Sequence, residues 1–202
     1  MSQRSMARGA MAVVLAIASI VGVAGSVSAA PKPAAHCISP IGTDLNVRWG
    51  VSETIVAPWC TEIEAGRSWR VSQAWFMNTS FDAMPDDFVA EGSTPLEDFL
   101  AKVIGVKIVV DAGTSHERTV VFTNVGDLGT LADAGGFAVA QALTLGTVRP
   151  LNVGAHTIDA YFSMRALHCD GLGAIIEENC LPAGDTPFEH FVVTVGSRSG
   201  PS

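Results

Sequence analysis

The stretch VRPLNVGAHTIDAYFSMRALHCDGLGAIIEENCLPAGDTPFEHFVVTV, residues 148–195, decides the fold. Pro150-Leu151-Asn152-Val153-Gly154 is a turn. After it His156, Ile158, Ala160, Phe162, Met164 and Ala166 alternate with Thr157, Asp159, Tyr161, Ser163 and Arg165. A period of two predicts a strand with one buried face. Residues 168–186 form a cysteine-bearing loop, and residues 188–195 are again rich in the aromatic and β-branched residues that suit a half-buried pleated surface. These runs are expected to pair antiparallel as the last two strands of an all-β protein, a β-sandwich.

Outward from that hairpin, residues 137–145 alternate as a strand, preceded by a glycine-rich loop over 124–136 that carries Asp127 and Asp133. Residues 106–110 and 118–123 read as a hairpin around Asp111-Ala112-Gly113. Thr94-Pro95-Leu96-Glu97 is a capping box with proline at the first helical position, and predicts one short helix near 95–104 with Leu96, Phe99, Leu100 and Val103 on one face and Gly105 as its stop. Residues 78–93 are a long connection that includes a glycosylation-type triplet, Asn78-Thr79-Ser80. Residues 67–77 form a core strand with Trp69, Val71, Gln73, Trp75 and Met77 on one face, residues 52–57 a short first strand, and residues 30–50 an extended lead-in. Together these segments predict about seven strands in one domain over 51–196, ahead of a frayed tail at 197–202.

Residues 1–29 read as a secretory leader: Arg4 and Arg8 precede an apolar run over 10–23 that ends in Val27-Ser28-Ala29. No later stretch approaches the roughly 20 apolar residues of a membrane helix. The chain carries 12 basic and 20 acidic residues, a net charge of -8. Removing the leader, which holds two arginines and no acid, takes this to -10. Such a balance argues against nucleic acid and anionic membranes as partners. Cys37, Cys60, Cys169 and Cys180 predict two disulfides in an exported protein. Of the three possible pairings, Cys37 with Cys60 and Cys169 with Cys180 is favoured because each closes a short local loop, worth about 3 kcal/mol on the loop-entropy model.

Pro150-Leu151-x-x-Gly154-x-His156-x-Ile158, followed by the closing run Phe191-Val192-Val193-Thr194-Val195, resembles the end of immunoglobulin-like or fibronectin-III-like domains of secreted bacterial proteins. The resemblance implies an antiparallel Ig-like sandwich and a recognition or structural role.

Residues that bear chemistry are scattered. His36, His116, His156, His168 and His190 fall in no dense ligand pattern, and there is neither a nucleophile elbow nor a phosphate-binding glycine loop. A hydrolytic triad requires distant residues such as Ser163, His168 and Asp170 to meet, which makes a secreted hydrolase the alternative function. The loop between Cys169 and Cys180 gathers Asp170, Glu177 and Glu178, oxygen ligands of the kind calcium takes, although the spacing of an EF-hand is missing. A disulfide-pinned loop also lowers the entropy cost of binding, so His168 and Asp170 are candidate ligand contacts. Of the four tryptophans, Trp69 and Trp75 share a core face, whereas Trp49 and Trp59 lie in loops and are candidates for stacking on a sugar. The sequence thus points to a secreted, non-catalytic binding or cell-envelope module for a protein or glycan, without a cofactor.

Overall fold

The computed structural model describes residues 36–124, 129–131 and 137–197. The expected leader, the part of the lead-in before His36, most of the 124–136 loop and the tail after residue 197 lie outside the described residues. In chain order the elements are α1 (Leu45–Trp49), β1 (Thr54–Val56), β2 (Glu62–Glu64), β3 (Trp69–Asn78), α2 (Pro95–Lys102), β4 (Val103–Val110), β5 (Arg118–Phe122), β6 (Gly129–Leu131), β7 (Phe137–Leu143), β8 (Gly154–Met164), β9 (His168–Cys169), α3 (Ile176–Asn179), β10 (Cys180–Leu181) and β11 (Gly184–Gly196).

The protein is all-β. One sheet has the order β1-β3-β7-β6, a second the order β2-β11-β8-β4-β5, and β9 pairs with β10 as a small ribbon. β8 and β11 pair antiparallel as their alternation predicts, with Phe191 opposite Ile158 and Val193 opposite His156. β4 and β5 form the expected hairpin. The sheets are mixed, not wholly antiparallel as expected, and make a curled half-barrel. β1 runs parallel to β3, and β2 runs parallel to β11. The cause is local. Residues 54–64 cross from an edge of the first sheet to an edge of the second, turning at Ala57 and Cys60, which bridge each other. The chain then returns to the first sheet as β3, so β1 and β3 are joined by a crossover and run in one direction.

Inward rows from both sheets meet in one core. Ile158, Ala160 and Phe162 of β8 face Trp69, Val71 and Met77 of β3, while Phe99 enters from α2. Full burial of a side chain such as Phe162 stabilises the fold by about 1.5–3 kcal/mol. Within the expected lead-in, residues 45–49 are helical, not extended. Asp44 caps α1 by accepting the Val47 N–H, and Gly50, at φ 63°, ends it in the left-handed conformation. Cys37, Leu45, Ile55, Ala57 and Leu143 then form a second cluster on the outer side of the first sheet.

The helix begins where the capping box puts it, with Thr94 Oγ1 accepting the Glu97 N–H. It ends at Lys102, not at Gly105, and Leu100 is exposed. Gly105 instead lies inside β4, beside a register shift, where a Cβ would stand 2.5 Å from the Phe122 carbonyl oxygen. No helix among the described residues is long and apolar enough to cross a membrane.

Candidate functional site

The loop flagged for binding is anchored by a buried polar cluster. α2 carries Asp98 in its first turn and Lys102 one turn later, on the same face; both are buried, as is His168 on β9. Asp98 bonds His168 Nδ1 at 2.8 Å through Oδ2 and Lys102 Nζ at 2.7 Å through Oδ1, and it also accepts the Glu91 N–H. On the other side of the imidazole, Trp75 Nε1 donates to His168 Nε2 at 3.2 Å. An indole nitrogen only donates, so Nε2 is the acceptor and the proton sits on Nδ1. Burial pulls His168 below its ordinary value, and the Asp98 contact offsets that only in part. Burial alone would raise Asp98, yet the bonds from His168 and Lys102 outweigh it and keep the carboxyl below its ordinary value. Lys102 also donates to the carbonyls of Val89 and Leu167. Both ring nitrogens and both carboxylate oxygens are therefore engaged, so the cluster pins the 78–93 connection to the core and leaves no free lone pair on His168 for catalysis.

Asp170 is buried beside this cluster. It accepts the Leu172 N–H at 2.8 Å, and burial raises its carboxyl above the ordinary value. The Ser163, His168, Asp170 triad does not assemble: Ser163 donates to Asp185, and His168 is taken by Asp98 and Trp75. Glu177 and Glu178 are exposed on α3 while Asp170 turns inward, and the described residues contain no group of three His, Cys, Asp or Glu side chains placed to hold a metal. His36, His156 and His190 pair with Asp44, Asp111 and Asp159.

Of the two tryptophans expected in loops, Trp49 is the last residue of α1 and Trp59 lies in the turn between β1 and β2. Trp49 and Trp59 are half-buried against the second cluster, and the disulfide Cys37–Cys60 adjoins Trp59 directly in sequence. The second disulfide is Cys169–Cys180, so both bonds follow the local pairing. Trp59 separates two hollows. One, of about 420 Å³, runs past His36, Thr54, Thr61 and Glu62. The other is a narrow cleft formed with Pro40, Ile41, Ala74, Phe76 and Gln141. Ile38, Ile41 and Phe76 are exposed at 50%, 43% and 46%, giving an apolar rim. Behind the rim, Trp59 Nε1 and Gln141 Oε1 are buried without hydrogen-bond partners, although Gln141 Nε2 donates to Ser72. Buried polar groups normally find partners, and Trp49 Nε1, Arg70 Nε and both amide atoms of Gln73 are buried and unpartnered in the same way. At the edge of the wider hollow, the hydrogen bond from His36 holds the Asp44 carboxyl below its ordinary value.

The sequence carried no warning of Gln141, a polar residue between Val139 and Leu143 on an outward row that residues 37–60 cover. Glu189 was legible in principle: it is in phase with Phe191, Val193 and Val195, which are buried. Burial pushes its carboxyl up to about 8, and its Oε2 has no partner. Trp69 and Trp75 serve the core as expected, with Trp69 Nε1 donating to the Arg149 carbonyl. No family model, no curated protein and no solved structure matches this chain.

Proposed function

We propose that the protein is an exported, non-catalytic binding module, and that its ligand face is the surface around Trp59. The observation that carries this is the half-buried Trp59 indole, held next to a disulfide between two hollows and flanked by an apolar rim. Preorganisation of this kind lowers the entropy cost of capture. A ligand with an apolar face fits the indole and its rim, and a sugar ring that stacks on indole has one. Export is supported by the leader-like residues 1–29 and by two disulfides, which persist in oxidising compartments.

The test is acrylamide quenching of tryptophan fluorescence with and without purified cell-envelope polysaccharide, on the wild type and on Trp59→Phe. The polysaccharide should protect a quenchable fraction in the wild type, and that protection should vanish in the variant. Equal protection in both proteins, or none in either, overturns the assignment of Trp59.

A further inference from the structure

A second groove lies on the open side of the half-barrel. Among the described residues β5 is an edge strand that pairs only with β4, so one side of its backbone presents N–H and C=O groups without a strand partner. Facing it across a groove of about 380 Å³ are residues 147–149. Val148 bridges to β3, using both its N–H and its C=O on Trp69, at 2.7 and 3.2 Å. The N–H groups of Thr147 and Arg149 make no main-chain hydrogen bond among the described residues. The groove has Val120 and Val148 as an apolar floor. Next to Thr147 in sequence, Gly146 admits the ring of Phe122; a Cβ on that glycine would lie 2.9 Å from the ring.

Its charge is distinctive in an acidic chain. Eight Lys and Arg side chains fall among the described residues. Arg67, Arg70, Lys102, Lys107 and Arg165 are in salt bridges, and Arg48 lies over the Trp49 ring. Arg118 and Arg149 are the two that have no partner among the described residues, and both line this groove.

We propose that the groove is a docking site for a short, extended, acidic peptide that adds as a strand to β5 and places carboxylates on Arg118 and Arg149. Three residues of wall at about 3.3 Å each give about 10 Å of ladder, which suits a segment of three or four residues. Main-chain bonds supply affinity in strand addition, and side-chain pockets supply selectivity. The planar guanidinium fork matches a carboxylate in two parallel bonds. A free anion would satisfy the arginines but leave the backbone edge and the apolar floor unused, so a peptide is the better fit.

Binding would be followed by fluorescence anisotropy of a labelled peptide of alternating Glu and Val, using the wild type, Arg118→Gln, Arg149→Gln and Trp59→Phe, each checked for wild-type circular dichroism. Each arginine variant should weaken binding about tenfold or more, as loss of a charge-assisted contact implies. Added salt should weaken it further. Methylation of alternate peptide nitrogens should abolish it, and Trp59→Phe should leave it unchanged. Any of four results overturns the proposal: no binding up to about 1 mM peptide; unchanged affinity in the arginine variants; equal affinity for a peptide with Lys in place of Glu; or equal affinity for the methylated peptide together with displacement by inorganic pyrophosphate, which would mark a plain anion site.

Discussion

Glu189 offers the sharpest test of the core. It projects inward from β11 just after the register shift between Pro187 and Glu189, and one carboxylate oxygen has no partner. Burial pushes the carboxyl from its ordinary value of 4.5 up to about 8. Because the folded state holds this proton more tightly than the unfolded state, the stability linked to the group is fully present below pH 4.5. It is lost as the pH rises toward 8 and is constant beyond that. Converted directly, that interval corresponds to at most about 5 kcal/mol, and relaxation with water entry around a half-buried carboxylate brings the expected loss to about 2 kcal/mol. Glu189→Gln removes the titration and keeps the shape. Urea unfolding of both proteins at pH 4 and pH 9 should therefore give similar stabilities in acid, and a variant more stable by about 2 kcal/mol or more in base. Groups common to both proteins cancel in that comparison. A stability difference that is the same at the two pH values would refute the inward, unpaired placement of Glu189.

Lys102→Met should destabilise the protein by about 3–5 kcal/mol near neutral pH, because it strands the buried Asp98 carboxylate; thermal melts of wild type and variant check this. His168, held below its ordinary value by burial, supports folding above pH 6.5 and opposes it as the pH falls, so His168→Gln should flatten the acid side of the pH–stability curve relative to the wild type. Replacing Cys37 and Cys60 with serine opens a loop of sequence separation 23 and should cost about 3 kcal/mol in chemical unfolding, with a rise in acrylamide quenching as Trp59 loosens. Gly105→Ala forces a Cβ against the Phe122 carbonyl and should cost about 1–3 kcal/mol, read as a lower melting temperature.

The parts of the fold that were legible in the sequence are those whose information is local. The alternation over 156–166 names the buried row of β8 outright, the capping box at Thr94 starts α2, and the spacing of the cysteines selects the two short disulfide loops. What escaped was information held in partners. β1 and β2 have three residues each, too few for a period, and their parallel neighbours lie far along the chain. α1 has five residues, and only the Asp44 cap and Gly50 mark it. Gly105 followed an apolar helical face and read as a stop, whereas its reason for being glycine is a backbone on the neighbouring strand. Among the candidate site residues, Trp49 and Trp59 were flagged by their loop setting and are half-buried, whereas His168 and Asp170 lie inside the fold. Sequence identifies a polar loop readily but does not say which way its side chains turn.

The place of β11 between β2 and β8 has a consequence for assembly during synthesis. The Cys37–Cys60 loop and the hairpin of β4 and β5 can close while later chain is still emerging. β2, however, has no strand to join until residues 184–196 arrive, and β8 must wait with one edge bare. Loop closure over so long a separation is slow compared with local pairing, so the growing chain passes through a stage in which the row from Ile158 to Met164 lacks its covering neighbour. A holding chaperone would act during that interval. Truncation before residue 184 should then produce aggregation in place of a smaller folded core.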